Sequence, residues 1–297
     1  AFSSGDRTRS FLKVQDGCDY KCAYCTIHYA RGSSRNIAIE EIVREAREIA
    51  AAGQREIVIT GVNTGDFGRT TGEKFIDLLK ALDRVEGIDR YRVSSIEPHL
   101  ITTEIIEFYA SSPKFVPHFH IPLQSGSTRI LGLMRRRYTA EKYRERIAKI
   151  RELMPDSFLG VDVIVGFPGE GEEEFMETYR LLEQVEASYL HIFPFSERPG
   201  TPAVDMPGKV QPRISTERVE RLEELSTRLH HAFSEKFIGT ERSVLFESTD
   251  HNGMMYGYTD NYLRVSAPSD TALINNICRV RLVAFDEEGN IRSEIVG

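Results

Sequence analysis

The sequence predicts an α/β protein with a parallel sheet in the main part of the chain and a small antiparallel β-barrel at its end. Six strand-like runs alternate with helix-like runs over the first two thirds of the 297 residues, a pattern typical of successive βα units with right-handed crossovers. A long amphipathic helix comes next, and short strand-like runs broken by Gly, Pro and Asn follow it. A cysteine-rich segment stands directly after the first predicted strand.

The six βα units can be located from the periodicity of apolar residues. Strands are predicted at 11–14, 56–60, 91–96, 119–121, 158–165 and 189–193, and helices at 39–52, 75–84, 103–110, 128–133, 140–153 and 172–185. The nearly continuous apolar run at 158–165 is expected of a strand that is buried on both faces. Such a sheet can close partly into a barrel or stay open and doubly wound, and both forms bind ligands at the carboxyl ends of the strands.

The last part of the chain has a different pattern. A helix predicted at 213–237 ends at Gly239, and short strands are predicted at 243–246, 255–258, 262–265 and 279–283. Short strands separated by turn residues are typical of a small antiparallel barrel. The sequence therefore predicts two domains, residues 1–239 and residues 240–297.

Three of the four cysteines, Cys18, Cys22 and Cys25, fall within eight residues at a Cys-x3-Cys-x2-Cys spacing. One loop can turn three thiolates toward a common centre, and soft thiolates favour an iron–sulfur cluster, zinc or copper(I). A structural zinc site normally takes four protein ligands, and the nearest fourth candidate is His28. Three ligands suit a cubane cluster with one iron open to a small molecule.

Tyr24, directly before the last of these cysteines, completes a Cys-x3-Cys-x-aromatic-Cys pattern. This pattern resembles that of the radical S-adenosylmethionine (SAM) enzymes. The resemblance implies a [4Fe-4S] cluster on the three cysteines, SAM bound to the open iron, and the backbone of Tyr24 near the adenine. It also favours the partial (β/α)6 barrel over the open sheet.

Loops at the carboxyl ends of later strands supply further candidate contacts to SAM. Gly61 and Asn63 would face its amino acid moiety, and Gln124 and Ser125 its ribose. The segment 162–170 adds two candidates, Asp162 and Gly166, and its glycines let the backbone approach a ligand closely. Each loop could equally be an ordinary turn between strand and helix.

A narrower resemblance covers residues 7–200. The segments 16–27, 29–32, 94–98, 118–126, 134–138 and 162–170 are similar to those of the methylthiotransferases, and 61–68 to the branch that modifies N6-threonylcarbamoyladenosine next to the tRNA anticodon. The resemblance implies that one SAM donates a methyl group and that another is reductively cleaved to a 5′-deoxyadenosyl radical. That radical takes the hydrogen from C2 of the adenine, and a methylthio group replaces it.

The resemblance also implies partners, and the chain departs from the family pattern in one respect. A tRNA substrate, a reducing electron donor such as flavodoxin or ferredoxin, and a monomeric state are expected. Methylthiotransferases carry three further cysteines for an auxiliary cluster before the barrel, and none precede Cys18 here. We expect a fragment that lacks this domain and cleaves SAM with poor or no coupling to methylthiolation.

Composition and charge limit the class of protein and its expected location. The 40% apolar and 28% charged residues are ordinary for a globular protein, and residues 1–7 have no signal-peptide pattern, so a cytoplasmic location is expected. The segment 257–262 resembles part of the RNA-binding TRAM domain. Residues 240–297 nevertheless contain five Arg, no Lys and nine acidic residues, whereas phosphate binding favours a basic surface. The TRAM assignment therefore rests on the resemblance.

Other interpretations remain open. A methylthiotransferase acting on an aspartate of a ribosomal protein would share the barrel and the tail, and a metal-stabilised RNA-binding module would need no catalysis. Three successive arginines at 135–137 either bind phosphates or form an exposed turn. His118 and His120 would point to the same side of a strand, as interior histidines or as a catalytic base.

Overall fold

The computed structural model describes residues 8–296, apart from the side chains of residues 248–251. The opening segment 1–7, in which no signal peptide was expected, lies outside the described residues. Among the residues that are described, no helix is both long and apolar enough to cross a membrane.

Six parallel strands follow one another in space in the order in which they occur along the chain. They are β1 (Arg9–Lys13), β4 (Glu56–Thr60), β5 (Arg90–Val93), β6 (His118–His120), β7 (Phe158–Val165) and β8 (Tyr189–Pro194), while β2 (Gln15–Asp16) and β3 (Arg35–Asn36) form a short antiparallel pair. Hydrogen bonds from Val116 N to Tyr91 O and from Ile96 N to His120 O join β5 to β6. The prediction of a partial (β/α)6 barrel is confirmed.

Helices cover the convex face of this sheet because each buries one apolar side against it. In the second helix Ile42, Ala46 and Ile49 repeat at helical spacing and are fully buried. The helices are α1 (Ile27–Arg31), α2 (Ile39–Ala51), α3 (Phe75–Asp83), α4 (Thr103–Ser111), α5 (Thr128–Leu133), α6 (Ala140–Leu153), α7 (Glu172–Gln184) and α8 (Pro212–Glu235). The sequence missed only the short α1, which has no buried residue.

The end of the chain forms a closed five-stranded barrel in the order β10-β11-β13-β12-β9. Its strands are β9 (Glu241–His251), β10 (Met254–Thr259), β11 (Arg264–Pro268), β12 (Ile277–Phe285) and β13 (Ile291–Ile295). The prediction of a small barrel is confirmed, and its strand pairs are antiparallel except for one, because β11 and β13 run parallel. An odd number of strands cannot alternate in direction around a closed ring, so one parallel pair is unavoidable. Tyr262, predicted within a strand, instead has a φ of +67°.

The small barrel packs against the amino-terminal ends of the parallel strands. Arg90 donates hydrogen bonds to the carbonyl oxygens of Tyr258 (3.0 Å) and Ser243 (2.7 Å). The His118 ring lies 4.6 Å from the ring of Tyr262, measured between centroids. The cysteine segment follows β1 and β2 and therefore lies at the opposite, carboxyl-terminal end of the sheet.

Candidate active site

A strained glycine begins the cysteine loop, residues 18–25. Gly17 has a φ of +73°, and a Cβ built there would lie 2.1 Å from the carbonyl oxygen of Ser33. The loop is closed by a hydrogen bond from Cys18 N to Gly32 O (3.0 Å). Only glycine adopts this conformation in so little space, so Gly17 fixes the direction in which Cys18 leaves the sheet.

A separate apolar cluster anchors the middle of the loop. Ala23 is completely buried among Ile130, Met134, Phe167 and Ala203. Its N–H donates to Met134 O (3.0 Å), and its carbonyl oxygen accepts from the N–H of Ala203 (2.9 Å). The backbone between Cys22 and Cys25 is therefore held on both sides.

Each thiol accepts one hydrogen bond from a nitrogen. The donors are Tyr20 N to Cys18 (3.4 Å), Ile27 N to Cys25 (3.4 Å) and the guanidinium of Arg136 to Cys22 (3.3 Å). Burial raises the pKa of Cys18 to about 11 and also raises that of Cys22, so these two thiols stay protonated until a cation binds. A metal ion would replace those protons.

The separation of the three sulfurs argues against a single zinc ion. Thiolates on one tetrahedral zinc lie about 3.8 Å apart, from a Zn–S distance of about 2.3 Å. Among the described residues, the three cysteines form no group of ligand atoms within 4.8 Å of one another, and His28 completes none. The loop therefore suits a larger centre better than a single ion.

Arg136 is a functional candidate that the sequence did not single out. Its side chain is 5% exposed, and one guanidinium nitrogen, Nη2, contacts both carboxylate oxygens of Glu97, while Nη1 also donates to the hydroxyl of Tyr24 (3.3 Å). The arginine run is thus neither a uniform phosphate-binding patch nor an exposed turn. Arg135 is exposed, whereas the guanidinium of Arg137 lies 3.8 Å from the centroid of the Tyr20 ring.

The loop after β4 brings Gly61 and Asn63 to the same end of the sheet. Asn63 is 4% exposed, and its backbone N–H donates to the side chain of Gln15 (2.8 Å). Both of its amide atoms are buried and unpaired within the described part of the chain, apart from a marginal contact with the hydroxyl of Tyr20. A buried amide without partners is costly, so Asn63 is available to a polar ligand.

The loops after β6 and β7 lie at the same carboxyl-terminal end of the sheet. Gln124 has a φ of +64°, an uncommon conformation for any residue but glycine. Ser125 is fully buried, and its hydroxyl lies 3.4 Å from that of Thr178 in α7. Gly166 has a φ of +77° and leaves no room for a Cβ next to Ser215. Gln124 and Gly166 therefore bring backbone close to the site, whereas the side chain of Ser125 faces α7.

Asp162 lies inside the barrel rather than in a loop. Its carboxylate accepts a hydrogen bond from His120 Nε2 (2.6 Å), and His191 on β8 lies beside both residues. His191 carries no motif of its own. The register that pairs Asp162 with His191 is a property of the folded sheet, so the sequence did not reveal this neighbour.

Residues 12–182, more than half of the chain, match the profile of the Radical SAM superfamily. The chain belongs to the radical SAM superfamily.

Curated relatives show a similarity that is more specific than the superfamily. The chain is 43% identical over 94% of its length to the threonylcarbamoyladenosine tRNA methylthiotransferase MtaB of Bacillus subtilis, and 39% identical over 96% to MtaB of Thermotoga maritima. It is 37% identical over 95% to the tRNA-2-methylthio-N(6)-dimethylallyladenosine synthase of Wolinella succinogenes. The chain spans 63%, 66% and 67% of these three relatives.

Solved structures support the radical SAM fold. The radical SAM methyltransferase TsrM of Kitasatospora setae matches 95% of this chain and 48% of its own with a TM-score of 0.56 at 15% identity. SuiB of Streptococcus suis matches 74% and 48% with a TM-score of 0.52 at 15% identity. At such low identity the likeness concerns the fold alone.

The residues of this radical SAM protein fit the group that its family implies. The cysteine loop offers three thiols too widely spaced for one ion, and each accepts a hydrogen bond that would stabilise a thiolate. Asn63 offers a buried amide with free donor and acceptor capacity. A [4Fe-4S] cluster with a bound amino acid chelate needs both features.

Proposed function

We propose that this chain is the radical SAM core of a tRNA methylthiotransferase that acts on C2 of N6-threonylcarbamoyladenosine next to the anticodon. The observation that carries the proposal is the position of the cysteine loop, which lies at the carboxyl ends of the strands above an interior lined by polar and aromatic side chains. The identity to two MtaB proteins supports the choice of substrate. Because the chain spans only 63% of the first relative, the activity of the whole protein stays a proposal.

In this proposal Cys18, Cys22 and Cys25 hold a [4Fe-4S] cluster. SAM lies against the carboxyl-terminal edge, where the candidate contacts are Tyr24, Gly61, Asn63, Gln124, Ser125, Asp162 and Gly166. The cluster, when bound, supplies the electron for reductive cleavage of SAM. The reaction further needs a reducing electron donor such as flavodoxin or ferredoxin. With tRNA as the substrate, we propose that the protein works in the cytoplasm. We also propose that it is a monomer.

The chain's own residues prepare the site for this chemistry. Arg136 places a positive charge beside Cys22, and the ion pair with Glu97 holds the guanidinium in this position. Phe167 and Met134 are fully buried behind the loop and keep water from that side. We also propose that the chain divides at residues 239 and 240, so that 1–239 performs the chemistry and 240–297 contacts RNA.

The first experiment is anaerobic reconstitution with iron and sulfide, followed by iron quantitation and electron paramagnetic resonance of the reduced protein. About four irons per chain and a spectrum that changes when SAM is added are expected. Replacing Cys18, Cys22 or Cys25 by Ala should abolish the signal. Cys278→Ala is the matched control, because Cys278 lies on β12 in the small barrel. Stoichiometric zinc, or a cluster unaffected by SAM, would contradict the cofactor assignment.

The second experiment tests the substrate and the reacting position. The reconstituted protein is given SAM, a reductant and tRNA whose N6-threonylcarbamoyladenosine carries deuterium at C2. Deuterium should appear in the 5′-deoxyadenosine product, as measured by mass spectrometry, and the amount should fall to background with tRNA deuterated elsewhere. Deuterium-free 5′-deoxyadenosine from an active preparation would refute the proposed substrate without affecting the cofactor assignment.

A further inference from the structure

A polar cluster lies on the inner face of the barrel. It comprises His120 on β6, Asp162 on β7 and His191 on β8, whose ligand-type atoms all lie within 4.8 Å of one another. His120 Nε2 is 2.6 Å from a carboxylate oxygen of Asp162, and the centroids of the two imidazole rings are 4.9 Å apart. Asp162 and His191 are direct partners in the pairing of β7 with β8.

The direction of this cluster follows from the alternation of β8. Leu190 and Ile192 pack with the apolar core, which includes side chains of α8. His191 and Phe193 therefore face the opposite, concave side, whereas the ring of Tyr189, at the start of the strand, lies between the ring of His191 (5.1 Å between centroids) and that of His230 on α8 (5.9 Å). Tyr189 is 43% exposed and Phe193 is 51% exposed, so the two rings flank His191 on a surface that a ligand can reach.

The opening to this surface lies at the side of the barrel. Within residues 8–296, β8 pairs only with β7 and β1 pairs only with β4, so the sheet does not close between its two edge strands. Phe11 on β1 is 39% exposed and, like Tyr189 and Phe193, is an aromatic residue on an edge strand. An aromatic base can stack against exposed rings of this kind.

The geometry of the cluster is that of a hydrogen-bonded group rather than a metal site. The 2.6 Å between His120 and Asp162 matches a charge-assisted hydrogen bond. Ligands on one tetrahedral zinc at about 2.0 Å would stand about 3.3 Å apart. Burial, followed by the proximity of His120, lowers the pKa of His191, so this imidazole is neutral at pH 7 and offers one N–H donor and one acceptor.

The relatives differ in the chemistry of the group on N6 of their named nucleosides. Threonylcarbamoyl contains a carboxylate as well as a urea and a hydroxyl that both donate and accept hydrogen bonds, whereas dimethylallyl is a hydrocarbon. The second carboxylate oxygen of Asp162 can accept a urea N–H, and neutral His191 can donate to a carbonyl or hydroxyl oxygen. A hydrocarbon placed here would cover these partly exposed polar groups without pairing with them, at a cost of about 1–3 kcal/mol for each group that it removes from water.

We propose that His120, Asp162 and His191 bind the urea and hydroxyl of the N6-threonylcarbamoyl group, and that His191, which lies outside the segments similar to methylthiotransferases in general, selects this nucleoside over N6-dimethylallyladenosine. The inference rests on the proposed function, and it assigns the side chain of Asp162 to the substrate rather than to SAM. His120 orients the carboxylate, and His191 makes the direct contact. A site built to hydrogen-bond a substituent rejects an analogue that lacks the polar groups far more strongly than an apolar pocket rejects an extra methylene.

The test compares three anticodon stem-loop RNAs that differ only at N6 of one adenosine, which is unmodified, threonylcarbamoylated or dimethylallylated. Dissociation constants are measured by fluorescence anisotropy with the reconstituted protein. The wild type should bind the threonylcarbamoyl RNA at least tenfold more tightly than the other two. His191→Phe should bring this ratio close to one without weakening the dimethylallyl RNA, and His191→Gln should restore part of the ratio. His231→Phe, at an exposed position on α8, should leave it unchanged.

Each other outcome has a distinct meaning. An unchanged ratio in His191→Phe, or equal weakening of all three RNAs, would overturn the inference. Equal binding of the three RNAs by the wild type would overturn it as well, but would leave the proposed methylthiotransferase chemistry intact. Failure of every RNA to bind would count against the proposed function itself. One equivalent of zinc in the wild type that is lost in His191→Phe would replace the inference by a metal site.

Discussion

A guanidinium nitrogen of Arg136 lies 3.3 Å from the sulfur of Cys22. The two residues are far apart along the chain, and the contact is maintained by the buried ion pair between Arg136 and Glu97. A hydrogen bond to a cluster sulfur stabilises its more negative, reduced state. The contact therefore connects an arginine from the loop after α5 to the redox behaviour of the proposed centre.

Arg136→Lys should lower the reduction potential of the reconstituted cluster, because lysine does not reproduce the forked geometry that reaches both Glu97 and Cys22. Spectroelectrochemical titration of the iron–sulfur absorbance measures the shift. Arg135→Lys is the matched control, since Arg135 is exposed. The cluster of this variant should have the same reduction potential as that of the wild type. Equal potentials in all three proteins would show that the contact has no redox role.

Gly17→Ala should prevent incorporation of the cluster. A Cβ at this position would lie 2.1 Å from Ser33 O, and the φ of +73° is unfavourable for alanine. Gly53→Ala, just after α2, is the matched control, because Gly53 has a φ of +83° but no atom within 4 Å of a built Cβ. The control should lose about 1 kcal/mol of stability and still bind about four irons. Iron quantitation after reconstitution separates the two results.

Arg90→Leu should lower the free energy of unfolding by about 3 kcal/mol or more, because it removes a buried partner of Glu56 and leaves carbonyl oxygens of the small barrel unpaired. Arg90 is 4% exposed and Glu56 is 1% exposed. Arg279→Leu breaks an ion pair with Glu241 in which Arg279 is 70% exposed, and should cost less than about 1 kcal/mol. Urea unfolding measures both. Similar losses would mean that the contact between the barrels contributes little.

His118→Phe should make stability less dependent on pH. The Nδ1 atom of His118 is buried without a hydrogen-bond partner in the described part of the chain, and burial, followed by the charge of Arg92, lowers its pKa well below the usual value. The unfolded chain takes up this proton at a pKa of about 6.5, so wild-type stability should fall as the pH drops below that value.

The measurement for His118 is urea unfolding at pH 7.5, 6.5 and 5.5. The variant should lose less stability than the wild type over this interval, and His231→Phe, at an exposed site, should follow the wild type. If the free energy of unfolding falls equally in His118→Phe and the wild type as the pH drops, another group causes the loss of stability at low pH.

The elements of the barrel were predictable because their signals are local. The apolar run that became β7 and the helical repeat of Ile42, Ala46 and Ile49 each lie within one segment, and the cysteine spacing fits into a single loop. Partnerships between segments were not predictable in this way. The pairing of Arg136 with Glu97 and of Asp162 with His191 depends on how loops and strands align after folding, and no periodicity encodes that alignment.

Topology limited the prediction at the end of the chain as well. The alternating pattern indicated strands, but it did not reveal β13 or the parallel contact of Val265 with Ile291. Strand direction in a closed ring depends on the number of strands, which turn signals define only loosely. Tyr262 was misplaced for a related reason, since a positive φ in a tight turn is not typical of tyrosine.

The small barrel and the cysteine loop lie at opposite ends of the parallel strands, and in the function proposed above this separation defines a length for the RNA that would contact both. The eight residues of β7 extend over about 26 Å at about 3.3 Å per residue. Stacked nucleotides rise by roughly 3.4 Å each, so about eight layers are needed to bridge that span. A free nucleoside is far too short to touch both ends, whereas the stem and loop of one tRNA arm have the required reach.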